Sequence, residues 1–200
     1  MKFKDALLSM LIVEMGVAVL AVINYGVTIE TLQAVTRFSG RVSLGIFSLI
    51  FLFQYHPHIN VKKILSDKFY SVFAIAHGIH LIQLLSFVYL SGNALIPVRL
   101  AGGFLAYVLI FAMPYLQQRM EQQKLSEKRF ITFTLVYQYY VWFIFFMSYL
   151  PRVRGTLTNV GGSYSEFVVL LAWVALLMGM RIQSLLMRKV IKASDRSKRS

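Results

Sequence analysis

The sequence contains no cysteine and few acidic residues. Without cysteine the chain has no disulfides, no thiolate metal site and no cysteine nucleophile. Only eight residues are Asp or Glu, against 21 Lys or Arg, so charged residues make up 14% of the 200 positions. Soluble domains carry roughly 25% charged residues. Together with a hydrophobic content of 58%, this scarcity of charge indicates an integral membrane protein.

Several sequence motifs are also missing. The chain has no glycine-rich phosphate loop, no Rossmann fingerprint and no His-Glu-x-x-His motif. A nucleotide or flavin would therefore have to be held by another subunit. The net charge of +13 does not indicate nucleic acid, because the basic residues flank apolar runs, as residues that set membrane topology do. We expect the lipid bilayer as a partner and no nucleic-acid partner.

Long apolar runs predict an all-α, polytopic membrane protein. About 20 apolar residues cross a bilayer as a helix. On this criterion we predict a six-transmembrane-helix bundle with spans at 6–27, 39–55, 69–91, 94–116, 130–150 and 165–187. Residues 1–191 are expected to form this single membrane domain, and residues 192–200 a disordered basic tail. The first run is longer than the apolar part of a signal peptide, so we expect it to be retained.

The distribution of basic residues predicts the orientation of the bundle. Most of the 21 Lys and Arg residues lie on the side of the predicted spans that carries both termini. The opposite side carries only arginines: Arg37, Arg41, Arg99, Arg152 and Arg154. By the positive-inside rule both termini are cytoplasmic. Compactness and the basic tail favour a bacterial inner membrane.

Two of the four histidines lie midway along the third predicted span. His77 and His80 are three residues apart, so both imidazoles lie on one face of a helix. Ionisable groups at this depth usually face the protein interior and often mark a site. Because imidazole binds haem iron and transition metals, we predict a cofactor or metal site at this pair. The alternatives are two buried structural histidines or a proton relay. His56 and His58 belong to a loop and would not complete a site.

Other charged residues are candidate functional residues because of their positions in the sequence alone. Arg37 and Arg41 lie one turn apart at the end of the second predicted span, where they would either bind a propionate or phosphate group or extend to the interface. Arg152, with Arg154, could dock an acidic periplasmic partner. Glu14 is the only acid well inside a span, which suggests proton transfer or helix association.

Two further charged residues are given structural roles. Glu166 opens the last predicted span, where its charge complements the helix dipole. Arg181, within that span, is expected to extend to the cytoplasmic boundary.

Short motifs between residues 36 and 187 resemble the ferric-reductase-like transmembrane domain family. They are Arg37-Phe-Ser-Gly-Arg41, Ala-His77-Gly-Ile-His80-Leu, Gly102-Gly103-Phe-Leu-Ala-Tyr107 and Tyr139-Tyr140-Val-Trp142 with Tyr149-Leu-Pro-Arg152. The resemblance implies six helices that hold b-type haem and move electrons across the membrane. It implies His77 or His80 as an axial ligand and Arg41 as a propionate partner. The position at which the family carries a second histidine is occupied by Thr134.

The sequence therefore predicts an integral membrane haem-binding or electron-transfer subunit with haem b as cofactor. A periplasmic or membrane protein would be its partner, since the chain has no donor or acceptor domain. Whether the chain is itself an enzyme is left open. The alternatives are a cofactor-free membrane scaffold or assembly partner, and a small proton-coupled transporter that uses Glu14 with the histidine pair.

Overall fold

The computed structural model describes residues 2–54, 59–92, 97–157 and 161–197, of which 97–100 and 186–197 are described by their backbone alone. Every regular element in these ranges is helical. In chain order the helices are α1 (Phe3–Tyr25), α2 (Ile29–Phe53), α3 (Val61–Ile64), α4 (Phe69–Ser91), α5 (Pro97–Glu121), α6 (Glu127–Val153) and α7 (Tyr164–Ser197).

Five helices in the described ranges are long and apolar enough to cross a membrane. They are α1, α2, α4, α6 and the part of α7 from Tyr164 to Leu185. Much of their apolar surface faces outward; on α1, for example, Ile12 is 62%, Met15 68% and Ile23 73% exposed. Large apolar side chains in this position indicate contact with lipid. These helices confirm the prediction of an all-α, multi-pass membrane protein.

The second helix begins much earlier than predicted. The sequence prediction placed its start at residue 39, but α2 begins at Ile29. Thr28 caps it by accepting a hydrogen bond from the backbone N–H of Thr31 at 3.4 Å. Arg37 and Arg41 therefore lie inside the helix rather than at its end. The predicted span followed the apolar run alone, whereas the helix also includes the more polar residues before it.

The predicted disordered tail also differs from the structure. The backbone of α7 is helical as far as Ser197, so residues 192–197 continue the last helix. Lys, Arg and Ala, which are frequent after residue 185, are good helix formers, which accounts for this continuation. Residues 198–200 lie outside the described part of the chain.

Aromatic side chains form the centre of the bundle. The ring of Phe47 on α2 lies 5.5 Å from Phe51, 5.8 Å from Phe73 and 5.4 Å from Phe145, measured between ring centroids. This joins α2, α4 and α6 through one cluster. On α6, Tyr137 is fully buried in the same core. These aromatic residues of α6 therefore pack between helices.

The turn between α3 and α4 is held by hydrogen bonds to one carboxylate. The hydroxyl of Ser66 donates to Oδ1 of Asp67 at 2.7 Å, and the backbone N–H of Lys68 donates to the same oxygen at 3.0 Å. These bonds, the one from Ser66 above all, lower the pKa of Asp67 below its usual value of 3.8.

A lowered carboxyl pKa predicts a pH-dependent contribution from Asp67. The stabilisation is complete above the unfolded pKa and is lost as the pH falls through the lower, folded pKa. We expect Asp67→Asn to lower the melting temperature slightly at neutral pH and to have no effect in strong acid. Thermal unfolding of the wild type and of Asp67→Asn in detergent, from neutral pH to strong acid, measures the difference in melting temperature. Asp5→Asn is the control. An equal effect of Asp67→Asn at both extremes would contradict the prediction.

Candidate functional site

His77 lies in the interior of the bundle and is enclosed by rings. Its side chain is 9% exposed. The ring stacks on Phe73 at a centroid distance of 5.4 Å, and it lies 4.9 Å from Tyr107 and 6.0 Å from Phe145. These neighbours come from α4, α5 and α6. Nδ1 of His77 is buried and has no hydrogen-bond partner in the described part of the chain.

His80 lies one turn further along α4, on the same side as His77. The two ring centroids are 5.4 Å apart, as the spacing of three predicts. The ring of His80 packs against the backbone of α2 at Gly40, where a Cβ atom would lie 3.1 Å from its Cε1 atom. It also hydrogen-bonds the main chain of Thr36. The absence of a side chain at Gly40 thus makes room for this imidazole.

This close approach predicts a position-dependent effect of alanine on α2. Relative to Gly45→Ala, we expect Gly40→Ala to be less stable by about 1–3 kcal/mol, because the added methyl group overpacks His80. At Gly45 a Cβ atom would meet nothing within 4 Å, so there alanine brings only its higher helix propensity. Unfolding titrations of both variants in mixed micelles measure the difference. Equal stability would show that the His80 ring moves aside freely.

A cavity of about 210 Å³ opens beside His80, at the end of the bundle where α6 ends and α7 begins. Its lining includes three guanidinium groups, from Arg37, Arg41 and Arg152. We call it the arginine cavity. The rest of the lining is a mixture of polar and apolar side chains: Thr36, His80, Ser148 and Tyr149, and Leu84, Phe145, Phe167 and Leu170.

Arg41 is paired with an acid that lies beside the cavity. Its Nη2 atom donates to Oε2 of Glu166 at 3.0 Å, which joins α2 to the start of α7 across 125 residues. The same carboxylate oxygen accepts the backbone N–H of Ser163 at 3.1 Å. The guanidinium of Arg41 also lies over the ring of Phe38, 4.5 Å from its centroid. Glu166 therefore does more than complement the dipole of α7.

Arg37 differs from Arg41. Its Nε and Nη1 atoms are buried, and no atom of the described residues accepts a hydrogen bond from them. The backbone of Gly161 and Gly162 passes close by, since a Cβ atom at Gly162 would lie 2.6 Å from Nη1. Both glycines have positive φ angles, +57° and +89°. A close approach and a left-handed backbone together explain why glycine occurs twice at this point.

The third arginine of the lining is held by the end of its own helix. Nη1 of Arg152 donates to the main-chain oxygen of Ser148. Its guanidinium lies 5.7 Å from the centroid of the Phe167 ring. Arg154, two residues later, is exposed and is not part of the lining. The structure thus separates two arginines that the sequence treats as a pair.

A buried polar chain in the other half of the bundle was missed by the sequence analysis. Arg181 is 3% exposed and does not extend to the membrane boundary as predicted. Its Nη2 atom donates to Oε1 of Gln138 at 3.1 Å, and Nε2 of Gln138 donates to Oε1 of Gln54 at 2.7 Å. The glutamines gave no signal because they are uncharged and lie 84 residues apart.

A second cavity, of about 320 Å³, lies at the opposite end of the bundle, where α6 begins. Gln54 belongs both to its lining and to the buried polar chain. The charged groups in its lining are of both signs, with Lys62 beside Glu121 and Glu127. The arginine cavity, by contrast, has no carboxylate among the described residues of its lining, and Glu166 lies beside it on Arg41. The two ends of the bundle therefore suit different ligands.

The described residues do not fit a haem held between two histidines. Three aromatic rings cover His77, so a porphyrin plane would have to displace them. His80 borders the arginine cavity, but among the described residues its lining contains no second histidine. Thr134 is fully buried and within 3.4 Å of the hydroxyl of Tyr70. Residues 56 and 58, the other two histidines, lie outside the described ranges.

A metal site of several ligands is not present in the described ranges either. They contain no group of three or more His, Cys, Asp or Glu side chains that could hold a metal ion. His77 and His80 would thus be two ligands without a third. Imidazole pairs of this kind need further donors for a stable four- or six-coordinate metal.

Comparison of the chain with protein-family models, with curated proteins and with solved structures gave no match. The resemblance to the ferric-reductase-like family rests on the sequence motifs alone. The function has to be inferred from the side chains that the fold brings together.

Proposed function

We propose that the protein is a membrane-embedded binding subunit whose arginine cavity holds an amphipathic ligand with carboxylate or phosphate groups. The observation that carries this proposal is Arg37. Its guanidinium lines the cavity with two buried donor atoms that meet no acceptor in the described residues. The neighbouring carboxylate, Glu166, is bound by Arg41. An anion in the cavity would supply the missing acceptor.

The chemistry of arginine supports an oxyanion as the ligand. The planar guanidinium matches the two oxygens of a carboxylate or phosphate group, and it stays charged at all physiological pH values. Buried donor atoms that lack an acceptor are destabilising. A bound anion would therefore offset a cost that the protein otherwise bears at Nε and Nη1 of Arg37.

The apolar side of the cavity supports an amphipathic ligand. Leu84, Phe145, Phe167 and Leu170 belong to its lining together with the arginines. A volume of about 210 Å³ is smaller than that of sites which enclose a whole drug-sized ligand, roughly 300–1,000 Å³. The cavity is therefore suited to the charged end of a larger molecule, whose apolar part extends between the helices or into the lipid.

We also propose that α5 is a sixth span and that both termini are cytoplasmic, in a bacterial inner membrane. Contacts near both ends of α5 support the span: Tyr140 donates to the carbonyl of Gly102 at 3.1 Å, and Gln117 donates to that of Asp67 at 2.7 Å. The second cavity lies among the lysine-rich connections, which favours the cytoplasmic side for it. The arginine cavity then opens on the periplasmic side.

The ferric-reductase-like resemblance makes haem b one possible source of the oxyanions. His80 and the arginines support this source, while the lack of a second histidine among the described residues speaks against it. A phospholipid head group has the same charged chemistry. Haem-dependent electron transfer therefore stays a proposal. The following experiment distinguishes bound haem from bound lipid.

The proposal is tested on protein purified in mild detergent. Native mass spectrometry is expected to show a bound anionic amphiphile that is lost in Arg37→Gln and kept in Arg154→Gln, the exposed neighbour of the site. A Soret band that disappears in His80→Ala would identify haem as that ligand. If the wild-type protein carries no anion and takes up none from anionic micelles, the proposal is wrong and a scaffold role is favoured.

A further inference from the structure

Glu14 is buried on a helix that is otherwise largely exposed. Its side chain is 5% exposed, although α1 has few other buried residues, namely Ala6, Met10 and Ala21. These positions follow one another at helical spacing and form the face that packs on α2 and α4. The helix therefore places its one mid-span acid inside the protein rather than towards lipid.

Two side chains from the neighbouring helices bind this carboxyl group. The hydroxyl of Ser39, which is fully buried, donates to Oε1 of Glu14 at 3.0 Å. The side chain of Gln83 on α4 also hydrogen-bonds the carboxyl group. Oε2 of Glu14 and Oε1 of Gln83 are both buried and have no partner in the described residues.

The charged groups on the neighbouring helices do not neutralise Glu14. On α2, Arg37 and Arg41 line the arginine cavity, and Arg41 is paired with Glu166. On α4, His80 packs against Gly40 and hydrogen-bonds Thr36, and His77 is enclosed by rings. An ionised carboxylate here would be a buried charge with only two hydrogen-bonding side chains, which is costly in a membrane protein.

A proton accounts for the site better than a metal cation does. A protonated Glu14 is uncharged, so it avoids the cost of a buried, unpaired carboxylate, while its Oε1 still accepts from Ser39. Hard cations take six or more oxygen ligands. Glu14, Gln83 and Ser39 supply at most four side-chain oxygens.

We propose that Glu14 is a proton-binding site within the membrane. Its carboxyl group carries a proton at neutral pH, and the docking of α1 on α2 and α4 depends on that proton. The proposal is independent of the ligand in the arginine cavity. A small proton-coupled transporter, the alternative function predicted from the sequence, requires a site of this kind. Here the site is formed by side chains from three helices.

Infrared spectroscopy of the full-length protein in lipid tests the proposal. The spectrum of the wild type minus that of Glu14→Gln is expected to show the carbonyl band of one protonated carboxyl group at neutral pH, and to lose it in alkali. Glu30→Gln, at the exposed start of α2, is the control and should show no such band. Absence of the band from the wild type at neutral pH would overturn the proposal. A band that appears only when sodium is removed would do so as well, because a cation would then occupy the site.

The stability of two variants provides a second measurement. Glutamine at position 14 is uncharged and can accept from Ser39, as a protonated carboxyl group does. We therefore expect the unfolding midpoint of Glu14→Gln to equal that of the wild type at neutral pH and to stay constant in alkali, where that of the wild type falls. Glu14→Ala should have a lower midpoint at every pH. A wild type that stays equally stable in alkali would show that α1 does not depend on the proton.

Discussion

Replacing Arg37 by glutamine is expected to weaken the binding of a carboxylate or phosphate ligand by about tenfold to a hundredfold. Hydrogen bonds to charged groups contribute about 1.5–3 kcal/mol, and each 1.4 kcal/mol changes an affinity tenfold. Glutamine keeps a polar side chain of similar length but removes the charge and the planar guanidinium group. The expected loss follows from the position of Arg37 in the cavity wall, where its buried donors have no other acceptor in the described residues.

Titration of the purified protein with short-chain phosphatidylglycerol measures this effect. Arg154→Gln removes a charge from the same end of the bundle without touching the cavity, so its affinity should change little. Arg37→Lys keeps the charge but not the fork, and an intermediate loss is expected. If Arg37→Gln and Arg154→Gln weaken binding equally, the effect comes from the general charge of this face and the arginine cavity is not the site.

Replacing Gln138 by leucine is expected to destabilise the protein by about 2–4 kcal/mol. Gln138 is fully buried and links Arg181 to Gln54 across α6, α7 and α2. Leucine has a similar size but removes the acceptor used by Arg181 and the donor used by Gln54. Leaving buried polar groups unsatisfied costs about 1–3 kcal/mol each, and more for a charged group.

A double-mutant cycle separates this network effect from packing. In Gln138→Leu combined with Arg181→Met, the buried charge and its acceptor are removed together, so we expect much of the lost stability to return. Unfolding in mixed micelles gives all four free energies. Gln118→Leu, an exposed glutamine on α5, is the control and should stay within about 0.5 kcal/mol of the wild type. A Gln138→Leu variant as stable as this control would show that the polar chain contributes nothing.

The histidine pair shows how far sequence reasoning reaches towards a site. The spacing of His77 and His80 correctly placed both rings on one side of a helix, because helical geometry is local. It did not show that Phe73, Tyr107 and Phe145 enclose the first ring, while the second borders a cavity. Those neighbours come largely from other helices, and their contact with the pair depends on how α5 and α6 are rotated and shifted against α4.

The arginines of α2 show where the same reasoning failed. The apolar run placed the start of the second span at residue 39, ten residues after the helix begins at Ile29. In the structure Arg41 is compensated by Glu166 and packs over Phe38, so the helix can carry these charges. Arg181 was correctly placed within the last span, but it was expected to extend to the membrane boundary, whereas it is buried and donates to Gln138. A charge within a span is tolerated when another helix supplies its partner, and no local pattern reveals that partner.

The sequence by itself determined that this chain is a helical membrane protein, because hydrophobicity over some 20 residues decides membrane insertion without reference to the rest of the fold. Only the tertiary structure decided which side chains meet, such as Glu14 with Ser39, Arg41 with Glu166 and Arg181 with Gln138. The physical reason lies in the solvent. Lipid is as apolar as a leucine side chain, so apolar residues need not gather on the inner face of a helix. The inward face is then set by packing between helices and by polar pairs that are distant in sequence.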